Sequence, residues 1–124
     1  KRWHLIGLEV GVSVASVALR GEATGVATCW NADVVATAKR DLMPGEMLDG
    51  EGGYTVWGKL LPADRSLRMG GLPLGLAHNV KVLRPVKKGQ SLSWADVAMD
   101  MSTDAYKLRA EMESMFALPD AKVA

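Results

Sequence analysis

The chain has 124 residues, a net charge of +1 and 48% hydrophobic residues, which suffices for a core that folds without disulfides or metals. Its balanced charge lacks the basic surplus that neutralises phosphates, so nucleic acid is not an expected partner. The single Cys29 and two distant histidines give neither an internal disulfide nor zinc-ligand spacing, so no metal site is predicted and a reducing compartment is favoured.

The first patterned stretch is residues 5–20, LIGLEVGVSVASVALR, which carries two periodicities. A period of two from Ile6 to Val14 fits a strand, but the alternation fails at Ala15. A period near 3.6 places polar residues on one stripe of an otherwise apolar helix: Glu9, Ser13, Ser16 and Arg20. We favour a helix beginning near Leu5 that must be buried against a larger body. With Glu9 inside it, the stretch is too short to span a membrane, which takes about 20 apolar residues.

Residues 21–33 collect glycine, threonine, asparagine and aspartate and are predicted to be a loop. A small β unit follows over residues 34–49, with a strand, an arginine and a turn carrying proline and glycine. The same pattern returns 44 positions later. The equivalent pairs are Arg40 and Arg84, Leu42 and Val86, Gly45 and Gly89, and Leu48 and Leu92. The sequence therefore predicts a duplicated β unit.

Between and after the two copies, weaker signals predict the remaining elements. The run GEGG after Asp49 indicates a loop, followed by a strand over residues 54–60 and one helical turn over residues 63–69. Ser93 and Asp96 have the spacing of a capping box. A last helix is expected from an apolar stripe at intervals of three, four and three residues: Ala105, Leu108, Met112 and Met115. That stripe should pack on the β module, on a further domain or on another subunit.

Several polar residues are candidates for binding. Arg40 and Arg84 could hold a carboxylate or phosphate through the guanidinium fork, although pairing of these arginines with Asp41, Glu46 or a turn carbonyl is favoured about two to one. A histidine and a carboxylate near the start of the first helix, His4 and Glu9, could anchor a polar substrate. The glycine-rich runs lack a nucleotide fingerprint, so the chain itself is expected to hold no cofactor.

The two copies AKRDLMPGEMLD and LRPVKKGQSLSWADV resemble the SAF domain, which sialic acid synthases share with type III antifreeze proteins and with flagellar and pilus assembly proteins. The matching positions are Arg40, Gly45, Glu46 and the Asp96-Val97 ending. The combination of HLIGLEVGVSVASVALRGEATG, VVATAKRDLMPGEMLDGEGGYTVWG and GLPLGLAHNVKVLRPVKKGQSLSWADV is similar to the C-terminal part of bacterial NAD(P)-dependent, homoserine-dehydrogenase-like oxidoreductases. That family includes the enzymes that resemble 1-deoxy-D-xylulose 5-phosphate reductoisomerase.

The resemblance implies a mainly β fold with flanking helices, an apolar one at the N-terminus and an amphipathic one at the C-terminus. Residues 33–101 would form an SAF-type β-clip module. Residues 1–32 would be the end of an upstream catalytic domain and a linker, and residues 102–124 a C-terminal helix and tail.

For function, the resemblance implies an accessory module of a cytoplasmic oxidoreductase that aids assembly or covers the active site. The partners would be the upstream Rossmann and catalytic domain of the same chain, which binds NAD(P), and further copies in a homo-oligomer. No catalytic residue is assigned to this chain, and the candidates for substrate contact are His4, Glu9, Arg20 and Arg40. The alternative is a non-catalytic SAF module that binds a saccharide or serves as an assembly chaperone.

Overall fold

The computed structural model describes residues 7–116, which contain three α-helices and two small antiparallel sheets. The helices are α1 (Val10–Arg20), α2 (Ala63–Met69) and α3 (Asp104–Met115). The strands are β1 (Ala32–Ala38), β2 (Met47–Asp49), β3 (Val56–Pro62), β4 (His78–Val82) and β5 (Val97–Ala98). β1 pairs with β3, and β4 lies between β2 and β5. The fold is thus mixed helix and sheet, and the expectation of a mainly β protein holds only loosely.

The two copies of the β unit are joined by exchanged backbone hydrogen bonds. The N–H of Gly45 donates to the carbonyl of Val82 at 2.8 Å, and the N–H of Gly89 donates to the carbonyl of Ala38 at 2.8 Å. Each residue of the second bond lies 44 positions from its equivalent in the first, so the two bonds are related by the repeat. Each copy therefore completes the hydrogen bonding of the other.

The core lies where these two copies meet. Leu42 and Val86, which are equivalent positions, exchange N–H to carbonyl bonds of 2.8 and 3.0 Å, and both side chains are buried. Leu48 and Leu92, the next equivalent pair, are also buried. The apolar positions that define the repeat in the sequence are thus the positions that fill the centre of the fold, because only there can both copies exclude water.

The turn glycines of the two copies, Gly45 and Gly89, have φ angles of 91° and 81°, as the turn pattern predicts. A Cβ at Gly45 would have no atom within 4 Å, so a substitution there costs only the backbone conformation. We expect Gly45→Ala to lower the free energy of unfolding by about 1 kcal/mol, measured by chemical denaturation. Gly75→Ala is the control, because Gly75 has equal space and no positive φ. Equal stability of the two variants would refute the turn's conformational role.

α1 departs from its expected start. Gly7 has a φ of 84°, outside the right-handed helical region, so a continuous helix cannot run from Leu5 through it. The helix begins at Val10, and Leu5 itself lies outside the described residues. At its other end Gly21 adopts the left-handed conformation. Its N–H donates to the carbonyl of Val17 at 3.0 Å, and the N–H of Glu22 donates to the carbonyl of Ser16 at 3.5 Å, which closes the last turn.

No side chain of α1 is buried, although the helix is rich in valine. Val12 and Leu19 are 67% and 84% exposed. Even so, no helix in residues 7–116 has both the length and the apolar character that crossing a bilayer demands. The expected burial of this helix against a larger body is therefore not provided by residues 7–116.

α3 packs with a different side from the one that its apolar stripe indicates. Leu108 and Met115 are 71% and 73% exposed, whereas Tyr106, Arg109 and Glu113 are partly buried. Of the predicted stripe only Met112 is partly buried, while Ala105, Leu108 and Met115 are exposed. Most of the stripe therefore does not pack on the β module, contrary to this alternative of the sequence analysis. The reason is that the surface beneath α3 offers a buried carboxylate and tryptophan rings, which bind the polar and aromatic side of the helix.

Candidate functional site

The predicted substrate contacts at the N-terminal end do not converge in the described structure. Glu9 precedes α1 and Arg20 lies in its last turn, so the rise of 1.5 Å per residue separates them by about 16 Å along the helix axis. His4 lies outside the described residues. The proposed role of these three residues in substrate contact stays a prediction.

Arg40 is paired within its own turn. Its guanidinium donates to the Glu46 carboxylate at 2.5 Å and to the carbonyl of Asp41 at 3.0 Å. The hydrogen bond from Arg40 lowers the pKa of Glu46, and a bond of 2.7 Å from the N–H of Met43 adds to this effect. The favoured interpretation, pairing at the turn, is confirmed. Glu46 therefore competes with any external anion for Arg40, whose side chain is 51% exposed.

Arg84 is the repeat equivalent of Arg40, but it takes a different partner. The position equivalent to Glu46 is Gln90, and Arg84 instead donates to Asp96 at 2.8 Å. Burial acts to raise the pKa of Asp96, but hydrogen bonds from Ser93 and the charge of Arg84 outweigh it and lower that pKa. Arg84 and Gln90 border an open depression of about 520 Å³. The Asp96 carboxylate and the Arg84 guanidinium in this depression already neutralise each other, so these two groups offer no unpaired charge to a ligand.

A buried ionic cluster connects α3 to β1. Arg109 donates through both Nη atoms to Asp33, at 3.1 and 2.6 Å, and through Nε to Glu113 at 2.7 Å. Ser66 donates to the same Asp33 carboxylate at 2.6 Å, and the guanidinium lies 4.7 Å from the centroid of the Trp30 ring. All these groups face one another, so the cluster fastens the helix and is not a binding site. The sequence analysis missed it, since Asp33 and Arg109 are 76 positions apart.

The loop between β2 and β3, residues 50–54, is fixed by Asp49 at its base; we call it the tip loop. The Asp49 carboxylate accepts hydrogen bonds from the N–H groups of Tyr54 at 2.6 Å and Thr55 at 3.0 Å, and from the Thr55 hydroxyl. These bonds, the hydroxyl's above all, lower the pKa of Asp49 to about 2. A Cβ at Gly53 would overlap that carboxylate, so the close fit requires glycine there.

Further bonds hold the tip loop from its other side. Lys39 donates its ammonium to the carbonyl of Gly53, and the N–H of Gly53 donates to the carbonyl of Gly50 at 3.3 Å. Gly50 and Gly52 have φ angles of 72° and 78°, which glycine adopts without steric cost. Groups within the chain thus hold the backbone of the loop at Gly50, Gly53 and Tyr54.

The side chain at the end of this loop contrasts with the fixed backbone. Tyr54 is 87% exposed, and in the part of the chain that the structure describes its hydroxyl has no hydrogen-bond partner. The sequence analysis predicted a loop from GEGG but placed Tyr54 in the following strand, which begins at Val56. An aspartate five residues before the tyrosine was the available signal, because a short carboxylate often accepts from nearby backbone N–H groups.

A comparison with models of known protein families gave no match to this chain, and neither did a comparison with curated proteins.

Proposed function

We propose that this chain is the C-terminal accessory module of a bacterial NAD(P)-dependent, homoserine-dehydrogenase-like oxidoreductase. In this proposal residues 33–101 form an SAF-type β-clip module that aids subunit assembly or covers the active site. NAD(P) binds to an upstream Rossmann domain in the cytoplasmic full-length protein. The resemblance of the sequence is the basis of the proposal, and the reciprocal hydrogen bonds between the two copies of the β unit support the β-clip assignment.

The observation that carries the proposal is the exposure of α1. This helix holds four valines and one leucine, at positions 10, 12, 14, 17 and 19, and their side chains are 59–84% exposed. Burying one such side chain gains about 1.5–3 kcal/mol, so a second body that covers the helix would gain stabilisation from each of these side chains. In the proposal that body is the catalytic domain, and Glu9, Arg20 and His4 then lie at its interface with α1.

The charged groups of the β region also support an accessory role. Arg40 pairs with Glu46, Arg84 with Asp96, and Lys87 with Asp41. A catalytic acid or base needs a pKa near the working pH and access to the substrate. The pKa values of these carboxylates instead lie below their usual range, because hydrogen bonds from Arg40 to Glu46, from Ser93 to Asp96 and from the backbone N–H of Lys88 to Asp41 lower them.

Calorimetric titration with NADPH tests the proposal. We expect the complete protein to bind NADPH, the 124-residue chain alone to give no heat of binding, and a complete protein lacking residues 33–116 to keep NADPH binding. Tight binding by the 124-residue chain would contradict the proposal. A complete protein that binds no NADPH and carries no dinucleotide fold would favour the non-catalytic SAF module that binds a protein or saccharide.

A further inference from the structure

We propose that α3 is a releasable strap, which undocks from the β module as one unit while the module itself stays folded. The ion pair between Arg109 and Asp33 is the latch that holds α3 in place. This inference goes beyond the proposed function and does not depend on it. It follows from the way in which backbone hydrogen bonds, apolar core and polar contacts are divided between α3 and the module.

The backbone hydrogen bonds of the β module end before α3 begins. Ala98, the last residue of β5, still pairs with Lys81 of β4. Beyond it, no backbone hydrogen bond joins residues 99–116 to any other segment that the structure describes. Release of α3 therefore breaks no bond of either sheet, and the strands keep their pairing when the helix leaves.

The apolar core of the module also lies outside α3. Its buried residues all fall between Ala36 and Val97, and Met99 is the last residue that packs against them. No residue of α3 belongs to this core, and Leu108 and Met115 on the apolar stripe of the helix are exposed. The free energy gained by excluding water from apolar side chains thus comes mainly from the module, which can stay folded without the helix.

Side chains alone fasten α3 to the module. Arg109 donates to both oxygens of the Asp33 carboxylate, at 3.1 and 2.6 Å. Trp94 donates its indole N–H to Glu113 at 3.3 Å and packs edge-to-face on Tyr106. The Arg109 and Asp33 side chains are 10% and 8% exposed, so a small shift of the helix would leave two buried charges without partners, which is strongly unfavourable. Full release hydrates both charges, so the latch favours a helix that is either docked or released.

The released segment should differ from the docked helix in a measurable way. Thr103 caps α3 by accepting from the N–H of Tyr106 at 3.3 Å, but a helix of 12 residues is marginal in water without tertiary contacts. Once released, α3 should therefore lose much of its helical hydrogen bonding. Its amide hydrogens then exchange with solvent through local opening, whereas core amides of the module exchange only when the whole fold opens.

Native-state hydrogen exchange of the 124-residue chain tests the inference. The amides of residues 108–115 should share one protection factor, at least about tenfold lower than those of Ala36 and Leu92, whose N–H groups bond inside the module. In Arg109→Met the protection of residues 108–115 should be lost, while Ala36 and Leu92 stay protected. The first measurement uses the original protein, so it does not depend on the folding of a variant.

The matched control is Lys107→Met, because the ion pair of Lys107 with Asp104, at 3.7 Å, lies within α3 itself. This variant should leave the protection of residues 108–115 unchanged, and a loss as large as in Arg109→Met would show that the ionic cluster is not the latch. Equal protection of α3 and the module in the original protein would mean that both unfold together, which overturns the inference. Protection that declines gradually towards one end of α3 would indicate fraying of single turns and would overturn it as well.

Discussion

Replacing Arg109 by methionine should lower the free energy of unfolding by about 3–5 kcal/mol, the usual cost of leaving a buried charge without its partner. The Asp33 carboxylate is 8% exposed and the Arg109 side chain 10%, so water cannot replace the lost guanidinium. Denaturant unfolding at pH 7 measures the effect. The control is Arg68→Met, which removes an exposed ion pair with Asp64 inside α2 and should cost under about 1 kcal/mol. Equal small losses in both variants would show that the cluster does not fasten α3.

The difference in unfolding free energy between the original protein and Arg109→Met should depend on pH. Burial acts to raise the pKa of Asp33, but hydrogen bonds from Arg109 and Ser66 outweigh it, so that pKa lies below its usual value. A carboxyl with a lowered folded-state pKa stabilises the fold above its unfolded pKa of about 3.9, and that stabilisation is lost as the pH falls through the folded value. In Arg109→Met burial would act without the bonds of Arg109 and raise the pKa of Asp33. The stability difference between the original protein and Arg109→Met should therefore narrow as the pH falls from that raised value to the lowered one of the original protein. A gap that stays constant down to strongly acidic pH would exclude this account.

Leu92→Ala should cost about 2–5 kcal/mol of unfolding free energy, since a deleted core leucine loses its transfer energy and leaves a cavity. Leu92 is completely buried, and its N–H and carbonyl bond to Ala36 and Leu72, so the surrounding backbone cannot easily collapse into the space. The matched control is Leu60→Ala in β3, where the side chain is 69% exposed. Thermal or denaturant unfolding measures both. A loss at Leu92 no larger than at Leu60 would mean that the interface between the two β units is not the core.

The duplicated β unit could be predicted because its signals are local. A glycine that needs positive φ and leucines at fixed distances from it mark each turn, and both φ angles and the burial of all four apolar repeat positions agree with the pattern. Two further elements could be predicted equally well: α2, at Ala63–Met69, and the capping box of Ser93 and Asp96. Capping and helical turns depend on residues that are close in sequence.

The candidate site could be predicted only in part. The run GEGG indicates a loop, yet its fixed form depends on Asp49 and Lys39, which reach it from two different segments. The partner of Arg84 was also not evident from the sequence. The position equivalent to Glu46 holds Gln90, which has no carboxylate, so the carboxylate within reach of Arg84 is that of Asp96, 12 positions after Arg84.

By itself, the sequence determined the repeat, its turns and its apolar core positions, because these follow from backbone conformation and from the periodic placement of apolar side chains. Only the tertiary structure decided which side of α3 packs. Periodicity identifies the apolar face of the helix. Asp33 and the tryptophans beneath α3 instead bind its polar and aromatic face. The contact of Lys39 with the tip loop was decided in the same way, since Lys39 reaches the carbonyl of Gly53 from 14 positions earlier in the chain.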